Sequence, residues 1–113
     1  MNHSEITVHE AKGCLYLGDL ATAAALYRRG LNGALGDRNR VNYRAELAAS
    51  LAVSGDINGA VTEGMAVLPA LNEGGIKSPR TLAVLRPVRR IAERGHNGKD
   101  FCAYYDQIGN TSA

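Results

Sequence analysis

Residues Val41 to Leu71 read VNYRAELAASLAVSGDINGAVTEGMAVLPAL, two helix-forming, Ala-rich segments separated by Gly55-Asp56. Small and branched apolar residues sit where two antiparallel helices would touch: Ala48 and Leu51 before the break, then Ala60, Gly64 and Val67 after it. Apolar residues at three- and four-residue spacing place one face of each helix against the other. The stretch is therefore expected to be a closely packed helix-turn-helix hairpin, and the rest of the chain to repeat or cover it.

Upstream, the first helix is expected to begin near Ser4 or Thr7, with Thr7-Val8-His9-Glu10 as a capping box. Ala11, Cys14 and Leu15 follow at helical spacing, and Gly18 stops the run. Asp19 then caps a second helix that turns Ala23, Tyr27 and Leu31 inward and Arg28 and Arg29 outward. Gly33 and Gly36 loosen its end. Asp37 is expected to cap the third helix, whose inner face carries Leu47, Ala48 and Leu51, and Asp56 to cap a fourth that runs to about Leu71. Asn72-Glu73-Gly74-Gly75 reads as a loop.

Downstream, Ser78-Pro79 has the signature of a helix start. Leu82, Leu85, Val88 and Ile91 make an apolar stripe, and Pro87 predicts a break within it. His96-Asn97-Gly98 reads as a turn. A short helix from about Asp100 carries Phe101, Tyr104, Tyr105 and Ile108, and Gly109 onward is expected to fray.

The 113 residues suffice for one small domain. Apolar content of 45% comes with one Phe and no Trp, which suits helices packed through small side chains more than a sheet. The expected fold class is all-α. No apolar run approaches the ~20 residues that span a bilayer, and MNHSEITVHE lacks the basic head and apolar core of a signal peptide. The expectation is a cytoplasmic protein with no membrane partner. Cys14 and Cys102 read as buried free thiols, and neither has metal-ligand spacing with His9 or His96. A net charge of +2 does not argue for nucleic acid.

Superposing Gly18-Asp19 on Gly55-Asp56 aligns LYLGDLATAAALYRRGL with LAVSGDINGAVTEGMAVL, a period of 37 residues from Gly18 to Gly55. Ala23 falls on Ala60, Tyr27 on Gly64 and Leu31 on Leu68. These residues resemble the tetratricopeptide repeat, whose unit runs about 34 residues, with the extra length in the Gly33–Asp37 loop. Ala11 and Ala48 match that family's small residue between the helices, and Ala23 and Ala60 its closest contact. Gly64 stands where the pattern has an aromatic residue, and Glu10 where it has Leu. The resemblance implies a superhelix of about three antiparallel pairs in a single domain, 1–113: a first repeat at about 4–36, a second at about 37–72, and a degenerate capping pair at about 78–109. In that last pair Gly95 would make the turn and Tyr104 would match Tyr27. The stretch from Arg44 to Arg94 also looks like the C-terminal repeat domains of bacterial helix-turn-helix transcriptional regulators.

Two basic groups, Arg28, Arg29, Arg38, Arg40 and Arg44, and Arg80, Arg86, Arg89, Arg90 and Arg94, read as solvated helix faces rather than a DNA surface. His9, Cys14, Asp19, Asp56, His96 and Tyr104 form no nucleophile-base arrangement. No catalytic residue, metal or cofactor is assigned, and the chain is expected not to be an enzyme. The repeat register instead implies a concave face formed by Val8, Lys12, Leu15 and Tyr16 of the first helix and Asn42, Ala45, Ala49, Ala52 and Val53 of the third. Arg89 and Glu93 join it from the fifth. The implied occupant is a protein or peptide partner, the C-terminal helix itself, or a second copy of the chain as a homodimer, with no sequence-specific binding of nucleic acid. The implied role is a non-catalytic interaction or ligand-sensing module in bacterial transcriptional regulation. The alternative is a stand-alone accessory protein that binds a peptide or small molecule, with an unrecognised enzymatic role in a biosynthetic pathway.

Overall fold

A computed structural model describes residues 3–33, 36–72, 79–95 and 97–111. These residues form helices α1 (His3–Tyr16), α2 (Leu20–Leu31), α3 (Asp37–Ser54), α4 (Ile57–Asn72), α5 (Pro79–Val84), α6 (Arg86–Ala92) and α7 (Gly98–Thr111). The all-α expectation holds for them. None of these helices is long and apolar enough to cross a membrane.

The two Gly-Asp turns are built alike, hydrogen bond for hydrogen bond. Gly18 N–H donates to Leu15 O at 3.0 Å and Asp19 N–H to Cys14 O at 2.9 Å. Gly55 N–H donates to Ala52 O at 3.1 Å and Asp56 N–H to Leu51 O at 2.9 Å. Each pair satisfies two carbonyls at a helix end, the Schellman arrangement. It requires a left-handed residue, supplied by Gly18 at φ +83° and Gly55 at φ +92°. The aspartates then open the next helices: Asp19 Oδ1 accepts from Thr22 N–H at 3.3 Å and Asp56 Oδ1 from Gly59 N–H at 2.9 Å.

α1 packs on α2, α3 on α4, and α2 on α3. Ala11, Ala23, Ala48 and Ala60 are fully buried at these contacts. α3 is the central element, with α2, α4, α5 and α6 all against it. Its buried set accordingly exceeds the expected inner face, adding Ala45, Ser50 and Ala52 to Leu47, Ala48 and Leu51. The polar Ser50 is accommodated by donating its hydroxyl to Glu46 O at 2.8 Å. The third region differs from the hairpins. α5 and α6 are separate helices joined at Leu85, and Pro87 lies in the first turn of α6, so the break falls where a proline cannot continue the ladder.

Three expectations need correction. Thr7 does not cap α1: the helix starts four residues earlier, and the Thr7 hydroxyl donates back to His3 O at 3.0 Å. The N-cap of α3 is Gly36 and Asp37 is its first helical residue. α7 continues through Gly109 to Thr111 instead of fraying, with Phe101, Cys102 and Ile108 buried. Gly95 and Asn97 both lie in the turn between α6 and α7, as expected, and Asn97 is left-handed at φ +60°. Ser78, His96 and Glu73-Gly74-Gly75 lie outside the described residues.

Two arginines of the first basic group have structural partners. Arg40, on α3, donates through Nη2 to Gly33 O at 2.8 Å and through Nη1 to Leu31 O, so one guanidinium closes the carbonyl end of α2. Arg44 Nη1 meets Glu63 Oε2 at 2.8 Å and ties α3 to α4. Arg89 of the second group binds Asp106 through both Nε (3.1 Å) and Nη2 (3.0 Å), which joins α6 to α7.

Candidate functional site: a polar cleft between α1, α3 and α5

A cleft of about 360 Å³ opens between α1, α3 and α5. α3 contributes Asn39, Asn42, Tyr43 and Glu46, α1 contributes Lys12, and α5 contributes Arg80, Thr81 and Val84. The α3 residues fall at positions i, i+3, i+4 and i+7, one polar stripe along the helix. The volume lies within the range of small-ligand sites.

The polar groups are linked. Asn42 Oδ1 accepts a hydrogen bond from the hydroxyl of Thr81, which fixes α5 to α3 across the cleft floor. Lys12 Nζ lies 5.2 Å from the centroid of the Tyr43 ring and 3.7 Å from Glu46 Oε1. The first distance is that of a cation–π contact. The second is ionic but too long for a hydrogen bond. From the core side, fully buried Tyr27 of α2 faces the Glu46 carboxylate. Burial foremost, then the charge and hydrogen bond of Glu46, raise the Tyr27 pKa well above that of an ordinary phenol, so it stays a donor. Glu46 Oε2 is shielded from solvent and has no hydrogen-bond partner among the described residues.

The expected groove residues divide. Lys12 and Asn42 line the cleft. Val8 and Ala45 are fully buried, and Ala52 is buried as well, so these three belong to the core instead of an open face. For Val8 the cause is close approach of α1 to α2: its Cγ2 lies 2.6 Å from where a side chain would begin at Gly30. Leu15 is half-buried against the core, and Ala49 is half-buried on α3. Tyr16 and Val53 are 93% and 64% exposed at the ends of α1 and α3, outside the cleft. Arg89 and Glu93 form an ion pair at 3.6 Å on the α6 side. The register missed Asn39, Tyr43, Glu46, Arg80 and Thr81; the polar stripe on α3 was the available signal for the first three.

Other candidates lie apart from the cleft. Asp19 and Asp56 are occupied as caps, and His9 is exposed on α1. Cys102 is buried, which pushes its thiol pKa up, and Cys14 is half-buried on α1; both are free. A second depression, between α4 and the start of α7, is lined by Val61, Met65, Asn97 and Asp100. No protein-family model, curated protein or solved structure matches the chain.

Proposed function

We propose that this chain is a non-catalytic, tetratricopeptide-like helical-repeat module that binds a partner or ligand for a bacterial transcriptional regulator. The observation that carries the reading is the cleft itself. Its lining comes from α1, α3 and α5; α1 and α3 open the two hairpins, and the first helices of the pairs line the binding face in the family the sequence resembles. The identical Gly18-Asp19 and Gly55-Asp56 turns support the repeat. The regulator association rests on the likeness of the stretch from Arg44 to Arg94.

Co-purification tests it. A helix-turn-helix protein encoded beside this gene should be retained by the parent chain. Asn39→Trp, which fills the cleft from its exposed rim, should release it while leaving the circular dichroism unchanged. Retention unaffected by Asn39→Trp would move the contact elsewhere.

A second reading, a stand-alone protein that binds a small molecule, is favoured by the cleft's size and its mixed charge. Co-purification of no regulator, together with a small-molecule complex lost in Asn39→Trp, would select it.

A further inference from the structure

We infer that the cleft takes a primary alkylammonium group between the Tyr43 ring and the Glu46 carboxylate, in the place the Lys12 ammonium now occupies. The inference rests on the cleft being the binding site. Lys12 is a tethered stand-in: its ammonium already shows that such a group fits over the ring, 5.2 Å from the centroid. An aromatic face and a carboxylate on one side of a cleft are the elements that recognise alkylammonium ions. The stand-in satisfies the site poorly. Lys12 Nζ stops 3.7 Å from Glu46 Oε1, beyond hydrogen-bond reach. An ammonium free of the α1 tether can approach to about 2.8 Å and make a charge-assisted hydrogen bond.

The surroundings fit an alkyl tail and a polar outer end. Val84 supplies an apolar wall, and Asn39 and Arg80 supply polar groups at the rim. The Glu46 side chain is 26% exposed, so its carboxylate is in part open to the cleft. Lys12, with its side chain 42% exposed, has solvent to swing into when it is displaced. The group recognised can belong to a free amine or to a lysine side chain of a peptide.

The test is a calorimetric titration of the full chain with n-butylammonium chloride, with sodium chloride as the ionic control. Lys12→Met removes the competing ammonium and keeps the aliphatic stem. It should bind butylammonium at least about tenfold more tightly than the parent. Glu46→Gln in the Lys12→Met background should abolish that gain. Binding of Nα-acetyl-lysine methylamide in addition assigns the site to a peptide lysine; binding of butylammonium alone assigns it to a free amine. No gain in Lys12→Met, or full binding by the Glu46→Gln double variant, overturns the inference. Should Lys12→Met not fold, the Tyr43 ring protons of the parent are followed instead. They must shift with butylammonium beyond the sodium chloride control, and their failure to do so also overturns it. Failure here with Asn39→Trp still releasing a partner removes the ammonium site and leaves the binding role intact.

Discussion

Phe101 of α7 rests against Gly64 of α4, the position that repeats Tyr27 of α2. A side chain begun at Gly64 would meet Phe101 Cε2 at 2.7 Å, and Phe101 is fully buried. Where the first hairpin fills this place with its own Tyr27, the second leaves it empty and a ring from the last helix enters. The glycine that broke the repeat pattern is thus the seat that attaches α7. Phe101→Ala should destabilise by about 3–5 kcal/mol. Gly64→Ala should cost about 1–3 kcal/mol by overpacking, against the better helix propensity of Ala. Combining Gly64→Ala with Phe101→Leu should cost less than the sum of the two, which urea melts of all variants will show.

Tyr27 and Glu46 make the wall behind the cleft. Tyr27→Phe should destabilise by about 1–3 kcal/mol, since the half-buried carboxylate loses its inner donor. The raised pKa of Tyr27 means that the folded state holds the phenolic proton more tightly than the unfolded chain. Its contribution is complete below the ordinary phenol pKa and falls as pH rises through the folded value. Of the 5 tyrosines, one should resist ionisation in an alkaline absorbance titration until the chain unfolds, and Tyr27→Phe should remove that late step.

Ala23 and Ala60 are fully buried and each donates its N–H to the capping aspartate's carbonyl, at 3.0 and 2.9 Å. Ala23→Leu and Ala60→Leu each force three carbon atoms into a closed hairpin and should cost about 1–3 kcal/mol or more. Thermal melts in which either equals the parent would contradict the equivalence of the two hairpins.

Asp106 is held below the usual carboxylate pKa, chiefly by its hydrogen bonds from Arg89. A lowered folded pKa means that the pair's contribution is present above the ordinary carboxylate range and is lost as pH falls through the lowered value. Because the pair is solvent-exposed, the effect is small. Asp106→Asn should melt slightly below the parent at neutral pH, with the gap closing in acid.

Much of the fold was legible because its punctuation is local. Gly18-Asp19 and Gly55-Asp56 each specify a left-handed turn and a cap within two residues, and Pro87 announces its own break. Thr7 misled because the same hydroxyl that can cap a helix can also bond back inside one, and the packing of Ser4 and Val8 against the end of α2 decides between them. The α7 boundary failed for a similar reason: burial of Ile108 holds a segment whose Gly109-Asn110 composition favours fraying. In the site, Lys12 and Asn42 were reachable from the repeat register, but Val8 and Ala45 were not separable from the groove because one helical turn carries both core and cleft faces. Thr81 meets Asn42 across 39 residues of chain, a pairing that carries no local signal.

The central claim, that the cleft between α1, α3 and α5 is where a partner sits, is tested most directly by site-specific photocrosslinking in producing cells. A photoreactive residue is placed at exposed Asn39 on the cleft rim, at Val53 on the end of α3, or at exposed Thr62 on α4. Mass spectrometry of the purified chain should find a discrete adduct from position 39 and none from 53 or 62. Adducts from 53 or 62 with position 39 silent would contradict the claim.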